Sequence, residues 1–310
     1  MTLVVISHSD CLLHDVGEHP ERPDRIKVIQ NALSTYPFTA PVLFQDAQSA
    51  NEDHLRKVHN DDYLKWIMSV APKAGFIAIE ADTIMNQFTL NAALLAAGSM
   101  VQGIDLLFNQ KAQTVFCNVR PPGHHAERDR AMGFCFFNNV AVGAQYAIDQ
   151  YQLDRIAIID FDVHHGNGTQ NIFQNNKKVM FCSSFQHPFY PGYDPELDNE
   201  HILNIPLVAG TSGQQFREQV ASAWFDQLDQ FRPQLICFSA GFDAHELDPL
   251  GGLRLVRDDY VWLTTEIARI AKTHCPGKLI SILEGGYDLT ALAECVPAHI
   301  DAIWQISIGR

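Results

Sequence analysis

The sequence predicts an α/β fold in a single domain spanning residues 1–310, with a parallel sheet covered by helices on both faces. Three observations carry this expectation. Runs of strand length that are apolar throughout recur along the chain, and segments of helix length with a period near 3.6 residues lie between them. No linker rich in Pro, Gly or Ser, no internal repeat and no low-complexity tract interrupts the 310 residues. A strand buried on both faces reads as an unbroken apolar run, and parallel neighbours need crossovers of helical length between them.

The elements follow in order. Leu3 to Ile6 (LVVI) is the first strand, and Asp24 to Thr35 the first helix. Thr89 to Phe108 is a long helix rich in Ala and Leu. Thr114 to Val119 is a strand, Asn139 to Gln150 a helix, and Ile156 to Ile159 and Val179 to Cys182 are strands. Gly213 to Phe231 reads as a helix on its period near 3.6 residues. Leu235 to Ser239 is a strand, Asp258 to His274 a helix, and Leu279 to Leu283 a strand.

Composition narrows the function classes. Hydrophobic residues make up 46% and charged residues 19%, an ordinary globular balance with length enough for a sizeable core. Lys and Arg total 22 against 36 Asp and Glu, a formal net charge of -14. That balance repels nucleic-acid backbones and favours cationic partners. The N-terminus, MTLVVISHSD, has neither a basic stretch nor a long apolar one, so it is not expected to be a signal peptide. No uninterrupted apolar run reaches the roughly 18 residues of a membrane span. The seven cysteines (11, 117, 135, 182, 237, 275 and 295) are scattered and never spaced as CxxC, the pattern of reduced thiols in a cytoplasmic protein.

Four of the strands run into loops loaded with chemistry. Thr114 to Val119 leads to RPPGHHAE (120–127), Ile156 to Ile159 to DFDVHHGNG (160–168), Leu235 to Ser239 to AGFDAH (240–245), and Leu279 to Leu283 to EGGYD (284–288). Ligands of open parallel sheets bind beyond the carboxyl ends of the strands, so all four loops are expected on one rim.

As extended chain, 160–165 places Asp160, Asp162 and His164 on one face and Phe161, Val163 and His165 on the other. Asp162 and His164 then converge on one point, and Asp243 from another strand end supplies a third donor. Three protein donors with an open fourth position describe a catalytic zinc site. A single such Asp is more often a cap or an ion-pair partner; the set argues for a metal. His124 and His125 follow a stiff Pro121-Pro122-Gly123 approach and suit acid–base work near neutral pH. Tyr287 offers a phenol to a developing oxyanion, although a lone Tyr more often packs.

RPPGHHA, DFDVHHGNG, SAGFDAHELDPLGG and EGGYD, with HPERPDR (19–25) and GFCFFNN (133–139), resemble the motifs of the histone deacetylase family over residues 17–288. The Asn of DFDVHHGNG and the DPLGG stretch resemble class II and bacterial members more than class I. The resemblance implies the arginase/deacetylase fold, an eight-stranded, mostly parallel sheet between helices. It implies one zinc ion on Asp162, His164 and Asp243, His124 paired with Asp160, and His125 paired with Asn167. Because Asn carries no charge, His125 is expected to be less biased toward imidazolium than His124. It implies hydrolysis of an N-acetyl amide, with zinc and Tyr287 polarising the carbonyl and the histidine pair moving protons. Which histidine is base and which is acid stays open.

The resemblance further implies a narrow tunnel for a lysyl chain, walled by Phe134 after Gly133, with Tyr190 where the second wall is usually Phe and Leu250 near the mouth. It implies a potassium ion beside the zinc, on the carbonyls of Asp160, Asp162, His164 and Ser184 and the hydroxyl of Ser183. The substrate is then an acylated lysine of a peptide or protein, or alternatively a small acetylated amine such as a polyamine. An oligomer is compatible with all of this. Asn167 and His245 stand where a two-manganese hydrolase of the same fold uses carboxylates, which argues against that chemistry. A catalytically dead acetyl-lysine binder would lack a ligand or the tyrosine. The absence of G-x-S-x-G argues against a serine hydrolase of that type.

Overall fold

A computed structural model describes residues 2–192 and 197–307. The strands, in chain order, are β1 (Leu3–Ser7), β2 (Val42–Asp46), β3 (Phe76–Ala78), β4 (Ile84–Asn86), β5 (Thr114–Cys117), β6 (Ile156–Asp160), β7 (Val179–Gln186), β8 (Ile202–Leu207), β9 (Leu235–Ala240) and β10 (Leu279–Leu283). Eight of them form one sheet in the order β2-β1-β5-β10-β9-β6-β7-β8, while β3 and β4 make a separate antiparallel ribbon. Every pairing described in the large sheet is parallel.

The helices are α1 (Asp24–Thr35), α2 (Glu52–Arg56), α3 (Asp61–Val70), α4 (Thr89–Phe108), α5 (Asn139–Tyr151), α6 (Asn167–Phe173), α7 (Gly213–Val220), α8 (Asp226–Phe231), α9 (Arg257–His274) and α10 (Leu289–Ser307). A π-helical turn, Ala221–Phe225, joins α7 to α8, so the single helix expected over 213–231 is continuous but locally underwound.

Strand alternation divides the apolar side chains between two cores. In β1, Val4 and Ile6 face a core shared with α3, α4 and α5. Leu3 and Val5 face a second core with Ile29 and Leu33 of α1 and residues of α9 and α10. Helix α4 is long and apolar enough to cross a membrane by length and composition, with a hydropathy of 1.4. It is instead packed inside the molecule through its small residues. A Cβ on Gly98 would lie 1.9 Å from the Gln48 carbonyl oxygen, and one on Gly103 would lie 2.4 Å from Ile280 Cδ1.

The sequence reading missed β2, β8, the β3–β4 ribbon, α2, α3, α6 and α10, each for a physical reason. β2 is a sheet edge with Leu43 and Phe44 exposed. β8, the other edge, carries Asn204 and Pro206, and proline is tolerated only where no ladder N–H is required. α10 contains Pro297, ordinarily a helix-stop signal. The first turn of α6 is built from the Asn167-Gly168 end of the DFDVHHGNG motif.

The strand order positions the site. After β5 the chain crosses to β6 and leaves two places, which β9 and β10 fill later. The loops following β5, β10, β9 and β6, four adjacent strands, therefore meet at one carboxyl edge.

Candidate active site

Strand β6 ends at Asp160, and residues 162–164 bend rather than continue as extended chain. The alternation survives the bend: Phe161 and Val163 enter the second core, while Asp162 and His164 turn to the rim. One donor atom each of Asp162, His164 and Asp243 lies within 4.8 Å of the others, and all three residues are buried. His164 Nδ1 is 3.0 Å from Asp162 Oδ1 and 3.2 Å from Asp243 Oδ2.

Backbone donors fix these carboxylates. Asp162 Oδ1 accepts the His164 N–H at 2.9 Å and Oδ2 the Gly285 N–H at 2.8 Å; Asp243 Oδ1 accepts the Val163 N–H at 2.8 Å. Gly285 has no alternative, since a Cβ there would lie 2.0 Å from Asp243 Oδ2.

The donor set fits a divalent ion. Asp243 Oδ2 is buried and accepts no well-aligned hydrogen bond; only His164 Nδ1, at 3.2 Å, faces it, a costly state for an anionic oxygen unless a cation joins it. Burial, reinforced by the Asp162 charge, raises the Asp243 carboxyl to about 7. Burial alone would lower His164, but hydrogen bonds to Asp162 and Asp243 raise it to about 10. The imidazole proton thus supplies the positive charge that the two carboxylates call for, and a metal ion would displace it.

His124 and His125 lie side by side, ring centroids 4.0 Å apart. His124 Nδ1 is 3.0 Å from Asp160 Oδ2, and its Nε2 is 3.7 Å from Asp162 Oδ2. Burial opposes its charge but is outweighed by Asp162 and Asp160, which lift it well above the ordinary value. Burial, with repulsion from His124 and His164, holds His125 well below it. His125 Nδ1 meets Asn167 Oδ1 at 2.8 Å, and Asn167 Nδ2 donates to Glu127 Oε1 at 2.7 Å. Glu127 thereby fixes the amide orientation, so His125 Nδ1 carries a proton and Nε2 is left as the basic atom. The two imidazoles, adjacent in sequence, are pushed in opposite directions by their surroundings.

Tyr287 follows two glycines after β10. The Arg25 guanidinium carbon lies 4.9 Å from the centre of its ring. Burial, only partly offset by Arg25, keeps the phenol well above its ordinary value, so it is an O–H donor at neutral pH. Arg25 Nε donates to the Gly286 carbonyl at 2.6 Å and Nη1 to Glu21 at 3.0 Å, and Arg120 also grips Glu21. Glu284 Oε2 accepts the N–H groups of Gly123 and His124 at 2.7 and 3.1 Å, tying the β10 loop to the histidine loop.

A cavity of about 430 Å³ opens over these groups, lined by Phe134, Phe189, Tyr190, Leu250, Gly133 and Tyr287 together with His124, His125 and His164. Phe134 sits at φ 68°, a left-handed conformation held by its N–H on Thr83 Oγ1 at 3.1 Å. Such strain in a non-glycine residue persists only where the surroundings enforce it, and here the turn of the β3–β4 ribbon does so. Phe189 stacks on His164, with ring centroids 5.4 Å apart and planes 16° apart, whereas Tyr190 meets His125 edge-on at 5.3 Å. The wall opposite Phe134 is therefore shared between Tyr190 and Phe189, a residue the sequence reading did not single out. Among the expected potassium residues, Ser183 is the register partner of Asp160, and its buried Oγ has no hydrogen-bond partner.

Sequence reasoning missed Arg25, Glu284, Glu127, Asp248 and Phe189. Several lay inside the quoted motifs; the signal was present, but their partners are backbone groups of distant loops.

A sequence model described as "Histone deacetylase domain" matches residues 19–303. The chain is 33% identical to the "Probable deacetylase" of Archaeoglobus fulgidus, over 93% of this chain and 82% of that one. It is 32% identical to the "Histone deacetylase-like amidohydrolase" of Pseudomonas aeruginosa, over 92% and 77%. The crystal structure of the HDA15 HD domain superposes with a TM-score of 0.89 at 31% identity, covering all of this chain and 90% of that one.

Proposed function

The chain belongs to the histone deacetylase family, and from that premise we propose that it is a zinc-dependent amidohydrolase removing acetyl or other acyl groups from the lysine side chains of peptides or proteins. The observation that carries this reading is a cluster of three buried donors, one of which, His164, lines an apolar-walled cavity together with a histidine pair and a tyrosine. A zinc ion held by Asp162, His164 and Asp243 would supply Lewis acidity toward the amide carbonyl and make water acidic near neutral pH.

The chain's own residues do the rest. Phe134 and the Phe189–Tyr190 wall flank an extended aliphatic chain and exclude water around it. His125 Nε2, kept neutral beside His124, accepts a proton. His124, held as imidazolium by Asp162 and Asp160, has one to give to the leaving amine. Tyr287 donates to the oxygen on which charge develops. Potassium at the carbonyls of Asp160, Asp162, His164 and Ser184 belongs to the same reading, supported by the partnerless Ser183 hydroxyl.

A second substrate class, the acetylated polyamines, is weighed by Leu250, which lines the cavity mouth. An apolar side chain there packs on a peptide, whereas a carboxylate would attract a distant ammonium. Purified enzyme is therefore expected to show a higher kcat/KM on acetyl-lysine peptides than on N8-acetylspermidine. Leu250→Glu should move that ratio toward the polyamine by about tenfold, the effect of roughly 1.4 kcal/mol. A wild type that favours the polyamine would overturn the lysine assignment, and an unchanged ratio would remove Leu250 from the substrate path.

A further inference from the structure

Asp248 sits in the loop after β9, five residues beyond Asp243, and is 6% exposed. Its carboxylate accepts three backbone N–H groups from two different loops. Oδ2 takes those of Tyr287 and Asp288 at 2.6 and 3.1 Å, and Oδ1 takes that of Leu250 at 2.9 Å. The other end of the same loop is also pinned, by Gln186 Oε1 on the Gly252 N–H at 2.7 Å. Tyr287 follows Gly285 and Gly286, and Gly286 has φ +116°, so the local backbone does little by itself to aim the phenol. Asp288 then caps α10, its Oδ1 accepting the Ala291 N–H at 2.8 Å. The direction of the Tyr287 side chain is thus set between a helix start and the Asp248 carboxylate.

We propose that Asp248 is a positioning residue for Tyr287, a single buried carboxylate that fixes the oxyanion donor in the loop after β10 and ties it to the substrate gate at Leu250. The proposal rests on the amidohydrolase reading above. Asp248 does not touch the reacting atoms; it acts by holding the Tyr287 and Asp288 amides, and a carboxylate bonded to three N–H groups is a stiffer anchor than the packing of the tyrosine ring. Asparagine cannot replace it in full, because its NH2 end donates where the aspartate accepts. One of the two loops must then be released.

The test is a double-mutant cycle on the zinc-loaded enzyme with an acetyl-lysine peptide, using Asp248→Asn, Tyr287→Phe and the double variant. Bound zinc and thermal melts serve as controls. Asp248→Asn is expected to lower kcat by about 10–10²-fold, the cost of misplacing a catalytic group by an ångström or less, with KM within a few fold of wild type. If Asp248 works through the phenol, that loss disappears in the Tyr287→Phe background, where the double variant should match Tyr287→Phe within about twofold. Should Asp248→Asn fold poorly, Asp248→Glu keeps the buried charge while displacing both loops, and the same cycle applies. An Asp248 variant with wild-type kcat, or a loss that persists undiminished alongside Tyr287→Phe, overturns the assignment while leaving the amidohydrolase reading intact. Wild-type turnover by Tyr287→Phe itself would instead remove the oxyanion donor from that reading, and this inference with it.

Discussion

Tyr287 shows how one side chain draws on the whole rim. Its ring lies beneath Arg25 from α1, its backbone is held by Asp248 from the β9 loop, and its phenol lines the cavity with the histidines of the β5 loop. A donor aimed where charge develops typically contributes about 10²–10³-fold to kcat. Tyr287→Phe should therefore retain bound zinc and fold while losing turnover by that order, read as kcat on an acetyl-lysine peptide; a variant within a few fold of wild type would exclude the phenol as oxyanion donor. At this scale the sequence was highly legible for residues whose side-chain chemistry is itself the signal, such as Asp162, His164, Asp243 and the His124–His125 pair. It was silent on Asp248, Glu284 and Arg25, whose partners are backbone groups 39, 160 and 261 positions away. Tyr190 was legible as a wall but not as one sharing that wall with Phe189, because the division depends on which ring stacks on His164.

Among the elements, the buried strands were legible because burial on both faces leaves an unmistakable apolar run, whereas the two edge strands are half exposed and lack it. Helix α10 hid behind Pro297 yet carries His299, which lies in the second core among Phe116, Phe161, Phe238 and Phe242. Its nitrogens meet Thr264 Oγ1 at 2.7 Å and Ser281 Oγ at 2.9 Å, and burial lowers it from 6.5 to about 3. A histidine kept neutral in the fold leaves the unfolded chain holding the extra proton below pH 6.5. Its stabilising effect is complete above that pH and is lost progressively as pH falls toward 3, by up to about 1.4 kcal/mol per unit. Buried His59 and His165, lowered to about 4, act in the same direction. Denaturant unfolding at pH 7.5 and 5.0 should show a drop in stability for the wild type that is smaller by roughly 1–2 kcal/mol in His299→Gln. Equal drops would mean that His299 is not held neutral.

Across the whole molecule, the strand order does what no single motif does. Placing β9 and β10 between β5 and β6 brings the four loaded loops together, although they are spread from residue 120 to residue 288 of the sequence. The sequence showed that these loops follow strands, and hence that they share a rim, but not the order of the strands, which depends on crossovers whose edges were invisible to it. The net charge of -14 disfavours nucleic-acid backbones and favours cationic partners.

The central claim, a hydrolytic site built around one ion, is tested most directly by titrating metal-free enzyme with Zn2+ while following release of acetate from an acetyl-lysine peptide. Activity should rise linearly and break at one equivalent per chain, matching the cluster of Asp162, His164 and Asp243, the single one among the described residues. A break at two equivalents, or full turnover before any zinc is added, would contradict it.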